Sequence, residues 1–110
     1  MTADRLERFR LDYQLAFLRY LSRRDETNRT AAYELGRSAI VANLSLLDVS
    51  QIHHEAFLRA LQDRPQPDEL EDCAGAASEF LLEVLASFEM TQRGYAEARL
   101  HDDDDTHRVG

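Results

Sequence analysis

The sequence predicts an all-α fold: a four-helix bundle-like domain with a long C-terminal helix, assembled as a dimer. Three observations lead there. Apolar residues recur at helical spacing in four separate segments. No Val/Ile/Thr-rich run alternates with period two, and only four Gly and two Pro occur in 110 residues. The segments are joined by short connections, as in helical bundles.

The first helix is expected from about Asp4 to Ser22, with Thr2 or Asp4 as N-cap. At 100° per residue Leu6, Phe9, Tyr13, Ala16, Phe17, Tyr20 and Leu21 share one face. Leu11, Leu15 and Leu18 lie opposite. A helix with two apolar stripes needs cover on both sides, and a chain this short has few elements to supply it. The second stripe therefore points to a homodimer through Leu11, Leu15 and Leu18, supported by Tyr33 and Ile40.

The second helix is expected to start near Asp25–Asn28 and to end near Ala42 or Asn43. Thr27, Ala31, Leu35, Ser38 and Ala42 would form a thin inner face, and Tyr33, Gly36 and Ile40 another. Gly36 costs about 1 kcal/mol of helix propensity against Ala, which is reasonable where two helices pack closely. Ser45 caps the third helix with Asp48 at the N3 position. Val49, Ile52, Ala56 and Ala60 then face inward, with Phe57 and Leu61 at the edge. The stretch Asp63 to Pro67 reads as a loop.

The fourth helix is expected from about Asp68 to Arg99, roughly 45 Å long at 1.5 Å per residue. Asp68 with Glu71 resembles a cap and its reciprocal acid. Leu70, Cys73, Ala74, Ala77, Phe80, Leu81, Val84, Leu85 and Phe88 make its core stripe, which Tyr95 rejoins. Gly94 marks a kink or an end. Residues 1–100 thus form the helical domain, and residues 101–110 an acidic, disordered tail containing Asp102 to Asp105.

Composition narrows the function. Residues 1–55 carry eight Arg and eight acids, whereas residues 56–110 carry five Arg and thirteen acids, so the net charge of −8 sits in the second half. That balance argues against nucleic acid as a partner. No apolar run is long enough to span a membrane, and no signal peptide opens the chain. The single Cys73 excludes an internal disulfide. A cytoplasmic location is the expectation.

Chemistry-bearing patterns are sparse. His53 and His54 are adjacent and so point about 100° apart, where a metal pair needs i,i+3 or i,i+4 spacing. His53 is expected as a hydrogen-bonded residue at the core edge, and His54 as exposed. Cys73 has no cation beside it and reads as structural. Neither a metal site nor a cofactor is expected, and no catalytic residues emerge. The informative feature is a ridge opposite the core stripe of the fourth helix: Leu82, Ala86 and Met90 at i, i+4, i+8, bordered by Glu79, Glu83 and Glu89. An apolar ridge with a charged border suits protein docking.

The segment from Gly36 to Leu61, followed by Ser78 to Tyr95, resembles the N-terminal domain of the stress-response serine phosphatase RsbU. The resemblance rests on Gly36, Arg37 and Ile40, on Ile52-His53, and on Phe80, Leu81, Glu83 and Val84 leading to Met90. Tyr13 and Glu26-Thr27 fit as well. In fold the chain is also similar to the C-terminal domain of the clock protein KaiA. The resemblance implies a dimeric, non-catalytic domain that binds a switch-type kinase, RsbT-like, in a partner-switching pathway governing a stress sigma factor. It implies a partner surface at Glu26 and Thr30 and at Leu82 and Ala86, which meets the ridge ending at Met90. Thr30 and Ala86 are smaller than the family's usual side chains there. No phosphatase domain follows within the 110 residues, so the expectation is a regulatory domain and not an enzyme. The competing reading is a small-molecule or metal-sensing helical dimer acting as a signalling adaptor, with room left by Ala74, Ala76 and Ala77.

Overall fold

The computed structural model describes the backbone of residues 2–63 and 66–109 and the side chains of residues 4–63 and 66–98. It contains α1 (Thr2–Ser22), α2 (Glu26–Val41), α3 (Leu46–Gln62) and α4 (Pro67–Val109), with no strand among the described residues. Of the tail expected at 101–110, residues 101–109 continue the backbone of α4, past the end expected near Arg99, and their side chains lie outside those described.

Each well-defined boundary has a local cause. The carboxylate of Asp25, in extended backbone, accepts from the Asn28 N–H and starts α2. Ser45 and Asp48 form a complete capping box at α3: the Ser45 hydroxyl accepts from Asp48 N at 3.1 Å, and the Asp48 carboxylate accepts from Ser45 N at 3.0 Å. Asp serves in place of the commoner Glu. The other starts differ from expectation. Asp4 falls inside the first turn of α1 rather than capping it. At α4 the helix begins one residue earlier, because Pro67 is preset for the first helical position. Glu69, not Glu71, is the reciprocal acid and accepts from Gln66 N at 3.2 Å.

The turn between α2 and α3 is a Schellman motif. Leu44 N–H donates to Ala39 O at 2.9 Å and Asn43 N–H to Ile40 O at 3.0 Å. Asn43 occupies the left-handed region, with φ 61°. Asn tolerates that conformation better than other non-glycine residues.

The helices alternate in direction. Phe9 of α1 neighbours Val41 and Ala42, while Leu18 and Arg19 neighbour Thr27 and Asn28, so α1 and α2 are antiparallel. Arg10–Glu55 and Gln14–Arg59 contacts set α1 and α3 parallel. Arg24 meets Asp72 at one end, and Ile40 and Leu44 meet Phe88 and Tyr95 at the other, so α2 and α4 are also parallel. The α2–α4 pair is the most extensively packed, whereas α3 touches α4 little and packs mainly on α1. The arrangement is therefore α1 surrounded by α2, α3 and α4, rather than a square bundle.

The core is aromatic at its centre: Tyr13, Phe17 and Phe80 are fully buried, and Phe80 makes edge-on contacts with both others at 5.2 and 5.3 Å between centroids. The inner face of α1 is the predicted one. Two faces differ. On α2 the buried residues are Ala32, Leu35, Gly36 and Ala39, so Thr27, Ala31, Ser38 and Ala42 are not the inner face. Two sparse faces, a thin one of mostly small residues and one of Tyr33, Gly36 and Ile40, left the wheel ambiguous; the buried set takes Leu35 from the first and Gly36 from the second. On α4, Ala76 and Ser87 join the core while Leu70, Ala74 and Tyr95 are exposed. Leu70 and Tyr95 lie toward the two ends of the packed stretch, and α4 continues through Gly94 without ending there.

Gly36 is where α2 and α4 touch. A Cβ there would overlap the Val84 carbonyl oxygen and lie 2.7 Å from Ser87 Cβ and 2.8 Å from Phe88 N. These are mostly backbone positions and do not yield. Gly36→Ala, although favoured by propensity, is therefore expected to destabilise the fold by about 1–3 kcal/mol or more through overpacking, measured by urea unfolding. Asn43→Ala is expected to cost about 1 kcal/mol from the left-handed strain alone, whereas Asn43→Gly holds or raises stability in the same assay.

Candidate functional site

The residues singled out from the sequence fall on two surfaces. Leu82 is 66% and Met90 61% exposed, and Ala86 between them is exposed, so the ridge on α4 stands in solvent. Glu26 and Thr30 are exposed on the first turns of α2. Thr30 Oγ1 donates to Glu26 O at 2.9 Å, which ties the hydroxyl to its own helix. These positions sit on the two helices that pack most extensively. Ser87 Oγ donates to Tyr33 O in a short hydrogen bond, one residue from Ala86 and one turn from Thr30. Ser87, fully buried, was not legible as a contact residue in the sequence: a small polar side chain on a helix gives no sign that a carbonyl of another helix waits for it.

A second fastening holds the start of α2. Tyr20 OH donates to Glu79 Oε2 at 3.0 Å. Arg24 lies 3.5 Å from the same carboxylate through Nε, and donates to Asp72 Oδ1 at 3.4 Å and to Asp72 O at 3.0 Å. The guanidinium thus pins the α1–α2 turn onto α4 two residues before Glu26. Gly75 lets it approach: a Cβ there would lie 3.3 Å from Nη2. The acidic border of the ridge is accordingly thinner than the sequence suggested. Glu79 is engaged by Tyr20 and Arg24, and Glu89 pairs with Arg93 at 2.8 Å. Glu83 has no ion pair among the described residues.

The other surface is the outer stripe of α1. Leu11, Leu15 and Leu18 are 58%, 51% and 42% exposed, so nothing among the described residues fully covers them. Tyr33 and Ile40 are half-buried, and Ile40 packs against the core from the edge. Sequence reasoning missed a third apolar group at the α2–α3 turn. Val41, Leu46 and Tyr95 are all at least half exposed there, around a groove of about 720 Å³ floored by Phe88, and Leu47 is exposed on the same turn.

The core contains one titratable pair. The Tyr13 hydroxyl and His53 Nδ1 share a 2.7 Å hydrogen bond, enclosed by Phe17, Phe57 and Phe80. His53 is the hydrogen-bonded histidine its helix position predicted, and His54 is exposed. Burial, with a smaller contribution from the His54 charge, pushes the His53 pKa down to about 4. Burial raises that of Tyr13. Among the described residues no three His, Cys, Asp or Glu side chains gather as a metal cluster. No helix is long and apolar enough to cross a membrane among them. Ala76 and Ala77 are buried in the packed core and Ala74 is exposed, so the three do not open a common cavity.

A family model for the N-terminal domain of the phosphoserine phosphatase RsbU matches residues 11–91. The chain belongs to the RsbU N-terminal domain family. Searches of curated proteins and of solved structures return no match. The matched span of this RsbU-type domain runs from the first leucine of the α1 stripe to just past Met90. It takes in Glu26, Thr30, Tyr33 and Ile40, and it leaves outside the first ten residues and everything after Thr91.

Because the folded-state pKa of His53 lies below its unfolded value near 6.5, the unfolded chain takes up the proton first. Stability contributed by neutral His53 is complete above pH 6.5 and is lost as pH falls from there to about 4. Urea midpoints measured across this range are expected to fall more steeply for the natural chain than for His53→Gln. Equal slopes would show that the imidazole does not titrate differently in the two states.

Proposed function

We propose that this RsbU-type domain is a non-catalytic, homodimeric interaction domain. It binds a switch-type, RsbT-like kinase in a partner-switching pathway that controls a stress sigma factor. The supporting observation is the solvent-exposed Leu82–Ala86–Met90 ridge in a chain that belongs to this regulatory family. An apolar anchor row on a rigid helix gains affinity on burial without a folding cost. Glu26 and Thr30 supply the polar part from α2, held in register by Arg24 and by the Tyr33–Ser87 bond. The small side chains of Thr30 and Ala86 leave shallow ground on either side, which suits a partner that contributes the bulk. The domain acts by binding, and a cytoplasmic setting follows from such a partner.

The dimer in this reading forms through Leu11, Leu15 and Leu18 on α1, flanked by Tyr33 and Ile40. Six leucines from two copies, each about half exposed, contribute on the order of 1 kcal/mol apiece on burial. That sum, roughly 6 kcal/mol, corresponds to a weak dimer before association costs are met. Flanking contacts beyond the leucines are therefore required for a stable assembly.

Sedimentation of the natural chain over a wide concentration range is expected to show a dimer, and Leu15→Glu a monomer with unchanged helicity. A monomer throughout would remove the α1 interface. Titration with an RsbT-type kinase, followed by calorimetry, is expected to give binding that Leu82→Glu with Ala86→Glu weakens by at least about tenfold, a loss of about 1.4 kcal/mol. Unchanged affinity in that variant would place the kinase elsewhere.

A further inference from the structure

The groove between the first half of α1 and the second half of α2 differs in charge from the rest of this acidic molecule. It is about 640 Å³ and open to solvent, with Val41, Ala42 and buried Phe9 as its apolar lining. Arg5, Arg8 and Arg37 line it, together with Asp12, Glu34 and Ser38. Arg37 lies 3.9 Å from Glu34, a loose exposed pair. Arg5 and Arg8 have no ion pair among the described residues. Asp12 is the one carboxylate left to balance those two, so the groove keeps positive charge in a chain of net −8.

The chain carries one run of four successive carboxylates, Asp102 to Asp105. It is carried at the same end of the molecule. Tyr95 and Ala96 of α4 line the neighbouring groove, and Val41 belongs to both grooves. Along α4 the run begins about 9 Å and ends about 14 Å beyond Ala96 at 1.5 Å per residue. The helix backbone therefore places the run beyond the residues that line the groove of the same chain.

We propose that the Arg5–Arg8–Arg37 groove is a docking site for the acidic run Asp102–Asp105 of a second copy of this chain. Charge complementarity selects the occupant, and the exposed Val41 offers an apolar contact beside it. Exposed ion pairs are individually weak and screened by salt, so the contact is reversible and depends on ionic strength. Exchange between two copies is reciprocal, each run seated on the other's groove, as closed twofold assembly requires. The groove also continues the face of α2 that holds Thr30, because Thr30, Glu34, Arg37 and Val41 follow at i, i+4, i+7 and i+11 and all are exposed. A seated run therefore borders the surface assigned above to the kinase, although the docking itself does not depend on that assignment.

The test mixes two forms of the full chain at low salt. One is isotope-labelled for NMR. The other is unlabelled and carries a nitroxide on Thr106→Cys in a Cys73→Ser background. Amide signals of Arg5 to Asp12 and Glu34 to Ala42 in the labelled chain are expected to lose more than half their intensity. About 0.5 M salt, or replacing all four Asp of the run by Asn, is expected to restore them. Arg5→Ala with Arg8→Ala in the labelled chain is expected to do the same while leaving the helical spectrum unchanged. Three results would overturn the proposal: no loss at these amides, loss that salt and the Asn variant do not reverse, or loss only when label and isotope share one chain. The leucine interface is tested separately with Leu11→Ala and Leu15→Ala, which add no charge beside this groove, whereas a carboxylate at position 15 would adjoin its Asp12 and Glu34.

Discussion

The contact of α2 with α4 at Gly36 is the constraint on which the remaining arrangement depends. Removing one methyl group lets the Val84 carbonyl, Ser87 and the Phe88 amide come against the α2 backbone. At that distance Ser87 reaches the Tyr33 carbonyl, and both groups are satisfied out of water. The parallel pairing of α2 and α4 then determines which residues of the two helices are exposed together. Arg24 secures the same pair at its other end through Asp72 and Glu79. The docking surface proposed on these two helices requires their relative position to be held within narrow limits, and these contacts hold the pair together.

Around that pair, α1 is the hub. It contributes Phe9, Tyr13, Phe17 and Tyr20 to the core and meets all three other helices. Its inner face is spent on Phe80 and on the Tyr13–His53 bond, a polar pair buried with its partner and therefore specific rather than costly. Its outer face carries Leu11, Leu15 and Leu18, which nothing among the described residues fully covers. A central helix with an uncovered apolar stripe links the packing of one subunit to association of two. The stability of the fold and the proposed assembly thus draw on opposite faces of one element.

Much of this was legible from residue spacing. The inner and outer faces of α1, the Ser45–Asp48 capping box, buried His53 beside exposed His54, and the exposed Leu82–Ala86–Met90 ridge all follow from periods of 3.6 and from capping chemistry. Strong side chains at regular intervals leave one solution. Where the signal was weak the expectation was off. On α2 two sparse faces competed, and Ala32 and Ala39 are inside instead of Ala31 and Ala42. On α4 Leu70 and Tyr95 have the right angular position and yet are exposed, because angular position says nothing about how far along the helix a neighbour extends.

What the amino-acid sequence determined unaided is local: four helices, most of their ends, and the stripe of each strongly amphipathic face. These depend on propensities, caps and periodicities that act within a few residues. Only the tertiary structure decided that α2 and α4 are parallel and closest at Gly36, that Ser87 and Arg24 fasten them, and that Arg5, Arg8 and Arg37 converge on one groove. Those relations join residues tens of positions apart, through distances set by how helices pack, and a linear pattern carries no measure of such distances.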